Sequence, residues 1–156
     1  MSLKFQALPT DRVREIQAGG PDANDQVARK VLSDGQGNPC RHCLSEIALN
    51  EEMLVLAYRP FPSAQPYAEI GPIFLCAKEC SRHPESDALP EMFQNTKRLI
   101  LRGYTTEHQI LYGTGQVVEV EDVEKIAEEI LANSRVSYVH MRSATNNCYD
   151  CRIERA

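Results

Sequence analysis

The sequence contains no apolar run long enough for a secretory signal or for a membrane span, which needs roughly 18 to 20 consecutive apolar residues. Its first stretch, Met1 to Leu8, mixes polar and apolar residues. A cytoplasmic protein without a membrane partner is expected. No run of lysine and arginine occurs either, and 17 basic residues face 22 acidic ones for a formal charge of -5. Nucleic acid is therefore not an expected partner, because non-specific binding requires a positive field facing the phosphates. The nucleophile elbow G-x-S-x-G, the phosphate loop G-x-x-x-x-G-K and the zinc-protease H-E-x-x-H are all missing. Gly113-Thr114-Gly115 lacks the third glycine and the strand-to-helix setting of a dinucleotide fingerprint, and reads as a turn. There is no internal repeat and no low-complexity segment.

What remains is an ordinary globular composition, 42% hydrophobic and 25% charged, which indicates neither disorder nor a fibrous repeat. A length of 156 residues fits a single domain spanning 1–156. Two independent domains would each be small and would need support from a metal or from disulfides. In a reducing compartment the six cysteines are expected to be thiols or metal ligands.

Apolar patterning predicts an α+β fold of about eight strands, largely antiparallel, with two or three helices. Phe5 to Leu8 opens with a short strand. Thr10 or Asp11 caps a brief helix that turns Val13 and Ile16 inward and ends at Gly19-Gly20-Pro21. Further strands are expected over 27–32, 52–59, 71–76, 98–104, 109–112 and 116–120. The turn at Gly113 to Gly115 is the best hairpin signal in the chain. Val123, Ile126, Ala127, Ile130 and Leu131 recur at helical spacing, so Glu121 to Asn133 is a helix with its acidic residues outward and crowded into the first turn. A closing hairpin is expected from 136–142 and 148–154 around 143–147.

The cysteines offer the most specific chemistry. Cys40-Arg41-His42-Cys43 and Cys148-Tyr149-Asp150-Cys151 are both C-x-x-C pairs, and two such pairs can supply the four tetrahedral thiolates that zinc prefers. Cys76 and Cys80, followed by His83, offer other ligands. Against this set, zinc knuckles usually need a glycine to carry the backbone around the metal, and neither Cys43 nor Cys151 is followed by one. On a strand, moreover, Cys148 and Cys151 point to opposite faces, which makes Cys151 a core residue. A redox or nucleophilic reading would rest on Cys40 beside Arg41 and His42, with His42 or His140 as base, and requires an accessible thiolate of lowered pKa.

A second constellation is polar. Strand alternation gathers Arg98, Ile100, Arg102 and Tyr104 on one face, and Tyr138, His140 and Arg142 on another. If those faces meet, guanidinium forks and an imidazole converge, a set suited to a carboxylate or phosphate. The expected ligand is then a small anion held by Cys40, Arg41, Arg102, His140, Arg142 and Cys148. The competing reading is a wetted sheet face of weak surface ion pairs.

Several segments taken together resemble the bacterial domain-of-unknown-function family 1203. They are Pro39 to Arg41, Met53 to Phe61, Pro66 to Phe74, Arg102 to Tyr104, Tyr138 to Arg142, Asn147 to Tyr149 and Arg152 to Arg155. The resemblance runs from Phe5 to Arg155 and brings no activity with it. It implies that Cys40 and Cys148 belong to the shared pattern more than Cys43 and Cys151 do.

Overall fold

The computed structural model describes all 156 residues. It contains eight strands in two antiparallel sheets, together with two α-helices. The strands are β1 (Leu3–Gln6), β2 (Arg29–Leu32), β3 (Glu52–Tyr58), β4 (Gly71–Cys76), β5 (Arg98–Tyr104), β6 (Gln116–Glu119), β7 (Tyr138–Ser143) and β8 (Tyr149–Arg155), and the helices are α1 (Thr10–Gln17) and α2 (Val123–Leu131). The α+β class expected from the sequence is the one observed. No helix is long and apolar enough to cross a membrane.

The residues gather into two compact units. The first holds 1–6, 63–68 and 84–156, and its five-stranded sheet runs β1-β8-β7-β5-β6. Helix α2 packs on this sheet through Val123, Ala127, Ile130 and Leu131, all buried. Gly103 of β5 lies beneath the helix, where a Cβ would stand 2.9 Å from Ile130 Cγ2 and 3.1 Å from Val136 Cγ2. Only glycine allows that approach. The closing hairpin forms as expected, β7 against β8, with a register shift between Met141 and Arg142. A single 3-10 turn over Glu91–Asn95 interrupts the polar stretch before β5.

One hairpin differs from expectation. Residues 109–112 form no strand, and β6 pairs directly with β5, Leu99 opposite Val118. The Thr114 hydroxyl explains the change. It accepts from the Gly103 N–H at 2.9 Å and donates to the Leu111 carbonyl at 2.6 Å. The segment is thereby pinned as a loop, leaving only a bridge between Tyr104 and Ile110.

The second unit holds 7–62 and 69–83. Its sheet runs β2-β3-β4, with Leu54 opposite Leu75 and Leu56 opposite Ile73. Val13 and Ile16 of α1 are buried, as the helical spacing predicted. Neither Thr10 nor Asp11 caps the helix: Pro9 occupies the N-cap position without a side-chain cap bond. The Thr10 hydroxyl is engaged with His42 instead. Asp22 fixes the following loop, its carboxylate accepting from the backbone N–H groups of Asn24, Gln26 and Ala57.

Candidate metal centre

Two loops of the second unit carry four cysteines. Cys40 and Cys43 lie on the turn between Pro39 and Glu46, which are paired in an isolated bridge. Cys76 ends β4 and Cys80 follows it. Local backbone bonds fold the first loop tightly: the Cys40 N–H donates to the Ser45 carbonyl and the Leu44 N–H to the Cys40 carbonyl, each at 3.0 Å. Leu44 takes φ +52°, the left-handed conformation. A leucine thus performs the turn for which a glycine was expected after Cys43, and a non-glycine residue in that region costs about 1–2 kcal/mol. Such strain persists only where its surroundings enforce it, and Leu44 is anchored by burial.

The second loop is held from helix α1. The Arg14 guanidinium donates to the Cys80 carbonyl at 2.8 Å, and the Gln17 amide donates to the carbonyls of Cys76 and Lys78 at 2.9 and 3.0 Å. Edge bonds join the two loops. The Arg41 N–H donates to the Phe74 carbonyl at 3.1 Å, the His83 N–H to the His42 carbonyl at 2.8 Å, and the Cys76 N–H to Cys40 Sγ at 3.3 Å.

The result is a cluster in which the sulfurs of Cys40, Cys43, Cys76 and Cys80 all lie within 4.8 Å of one another. The Cys40–Cys80 and Cys43–Cys76 separations are both 3.9 Å. A tetrahedral zinc site with bonds of about 2.3 Å requires sulfur–sulfur edges of about 3.8 Å. These two edges are close to that length. None of the cysteines is in a disulfide.

Charge makes the same point. Hydrogen bonds from Cys43 and Cys76 hold the Cys40 thiol far below its usual range. Bonding to Cys40 and Cys43 pushes Cys76 far up, and burial, reinforced by charge on Cys40 and Cys43, pushes Cys80 up to about 12. Thiolates this close repel one another, so charge already present in the cluster disfavours ionisation of Cys76 and Cys80. A divalent cation removes that conflict by replacing the protons. His42 is fully buried alongside, its Nδ1 3.0 Å from Cys80 Sγ and its Nε2 2.9 Å from Thr10 Oγ1.

The cysteines that cluster are not the pair of C-x-x-C motifs expected from spacing. Cys40 and Cys43 belong to the cluster, but their partners are Cys76 and Cys80. Cys148 and Cys151 lie in the first unit. Cys151 is a buried core residue on β8 whose thiol donates to the Gln6 carbonyl at 3.2 Å, and Cys148 Sγ is 3.8 Å from the Asn146 carbonyl. Cys40 is likewise fully buried, which removes the accessible thiolate required by the redox reading.

Of the six residues expected to hold an anion, three share one sheet face in the first unit. Arg102 opposes His140 on β5 and β7, and Arg142 opposes Ile100 in the same direction along the sheet. Cys148 sits just before β8 of that unit, while Cys40 and Arg41 belong to the second unit. Arg152 of β8 extends the row beside His140 and lies over the Tyr138 ring at 3.7 Å. The His140 ring is packed against Tyr104, Tyr138 and Tyr149 at 4.7, 5.0 and 4.9 Å. Burial lowers the His140 pKa well below its ordinary value, and the charges of Arg142, Arg152 and Arg102 act in the same direction. The imidazole on this face is neutral.

Residues 37–155 match the family described as Protein of unknown function (DUF1203). The chain belongs to that family. The matched span includes all four clustered cysteines and the sheet-face arginines Arg102, Arg142 and Arg152, but not α1. No curated protein and no solved structure matches the chain.

Proposed function

We propose that this family member is a zinc-stabilised structural or interaction domain in which Cys40, Cys43, Cys76 and Cys80 hold one ion. The single observation that carries this reading is the convergence of four sulfurs within 4.8 Å of one another, with two of the separations at 3.9 Å, close to the edge of a ZnS₄ tetrahedron. The size of the second unit supports it, since units of fewer than about 70–80 residues rarely stabilise themselves by a hydrophobic core alone. Four protein ligands leave no position for water or substrate, so the ion is structural rather than catalytic. Elemental mass spectrometry on tag-free protein tests the reading, together with a thiol count before and after denaturation in chelator. The expected result is about one zinc per chain, with four thiols that react only once the metal is removed. Metal-free protein with six freely titrating thiols would overturn it.

A second reading is carried by the shared face of Arg102, His140 and Arg142, namely binding of a small anion. Arg142 already donates to the Asn147 carbonyl, and Arg152 is paired with Glu154. An anion would have to compete with these partners, which is why this reading ranks second. Phosphate titration by calorimetry tests it: binding should weaken in Arg102→Ala and Arg142→Ala, and equal affinity in both variants would refute it.

A further inference from the structure

His42 lies between Cys40 and Cys43 in sequence and beside Cys80 in space, yet it is not one of the four clustered residues. It is fully buried, so both of its ring nitrogens need hydrogen-bond partners. Nδ1 has Cys80 Sγ at 3.0 Å and Nε2 has Thr10 Oγ1 at 2.9 Å. Once Cys80 binds a metal it is a thiolate, which can accept a hydrogen bond but cannot donate one. The proton must then sit on Nδ1. Nε2 becomes an acceptor, and the Thr10 hydroxyl must donate to it.

We infer that His42, in its Nδ1–H form and oriented by Thr10, is the positioning residue for Cys80, donating a hydrogen bond to the metal-bound sulfur and shielding it from electrophiles. The inference rests on the zinc reading above and adds a specific inequality among the four sulfurs. A donated N–H draws electron density from the sulfur lone pair, so Cys80 should be the less nucleophilic thiolate, with Cys43 as the comparison. The relay also explains why Thr10 does not cap α1: its hydroxyl faces the imidazole. Through Thr10, Arg14 and Gln17, the helix orients the second cysteine loop at a side chain as well as at backbone carbonyls. Partners of this kind beyond the ligands typically change metal affinity by about 10–100-fold when removed.

The test compares zinc-loaded wild type with His42→Phe, His42→Asn and Thr10→Val. Two quantities are read: zinc affinity by chelator competition, and the rate of iodoacetamide modification at each cysteine. Cys80 lies alone between Lys78 and Arg82, so a tryptic fragment reports it separately. In His42→Phe, affinity should fall about 10-fold or more, and Cys80 should alkylate faster relative to Cys43. His42→Asn, whose amide N–H can stand near the Nδ1 position, should restore both. Thr10→Val keeps the buried ring in place and should shift both in the direction of His42→Phe, so the test survives if that variant misfolds. A mere loss of packing would speed all four cysteines together. Unchanged Cys80-to-Cys43 ratios in zinc-loaded Thr10→Val and His42→Phe overturn the inference alone. Wild-type protein without zinc overturns both this inference and the function it rests on.

Discussion

Replacing Cys76 with serine separates the cysteine cluster seen in the fold from the ligand set that motif spacing suggested. The substitution is nearly isosteric, but it exchanges a soft thiolate for a hard hydroxyl that stays protonated at neutral pH, so the site loses a full ligand. Metal bound only to the folded state stabilises it in proportion to the logarithm of affinity, and each tenfold is about 1.4 kcal/mol. A thousandfold loss at saturating zinc therefore removes about 4 kcal/mol. That is a large share of a total folding stability of about 5–15 kcal/mol. The backbone bonds that the site organises, from Cys40 to Ser45, Leu44 to Cys40 and Ile47 to Asn38, should lose protection first. Zinc content by elemental mass spectrometry and amide hydrogen exchange over 38–47 read the two effects. Cys148→Ser is the matched control, since that sulfur contacts the Asn146 carbonyl. Expected are zinc loss and faster exchange in Cys76→Ser, with neither in Cys148→Ser. Full zinc in Cys76→Ser, or equal loss in Cys148→Ser, would refute the assignment.

Three further outcomes are expected. The His140 pKa is depressed in the fold, so the unfolded chain binds the extra proton first, and stability contributed by the neutral imidazole is present above the ordinary value near 6.5 and is lost as pH falls below it. Urea midpoints at pH 7.5 and 5 should therefore differ more for wild type than for His140→Gln. Leu44→Gly relieves about 1–2 kcal/mol of left-handed strain but gives up a buried leucine side chain worth about 3–5 kcal/mol, so packing wins and thermal melting should fall. A melting temperature above wild type would show that backbone strain outweighs the lost packing. Gly103→Ala places a methyl 2.9 Å from Ile130 Cγ2 and 3.0 Å from Thr114 Oγ1, and should destabilise by about 1–3 kcal/mol in denaturant titration; neutrality would mean that α2 can shift to accommodate it.

The strands and α2 were readable because their signals are local. The apolar run of β3, the spacing of Val123, Ala127 and Ile130, and the closing hairpin each depend on neighbours in sequence. The lost hairpin at 109–112 failed for a tertiary reason, the side chain of Thr114 claiming backbone partners on Gly103 and Leu111. The metal centre was half legible. Cys40 and Cys43 were singled out by their spacing, while Cys76 and Cys80 were noted only as alternative ligands. C-x-x-C spacing favoured Cys148 and Cys151, and only the bridge between Cys40 and Phe74 of β4 brings Cys76 and Cys80 to the first pair. The missing glycine argued against a knuckle, because backbone strain tolerated at Leu44 leaves no mark in the sequence. His42 could have been flagged as an orienting residue from its place inside a C-x-x-C pair, but its link to Thr10 depends on the fold.

The two cysteine loops bracket strands β3 and β4 along the chain. Bringing them together closes a loop whose ends, Cys43 and Cys76, are 33 positions apart, an entropic cost of about 3 kcal/mol for a flexible chain. The hairpin inside that segment places Met53, not Cys43, beside Cys76, so hairpin formation alone does not deliver the first cysteine pair to the second. Metal captured early by Cys40 and Cys43 would leave the ion half-coordinated until β4 arrives. In refolding experiments the zinc-dependent step should therefore follow strand pairing, and added zinc should accelerate the late phase while leaving formation of the β3–β4 hairpin unchanged.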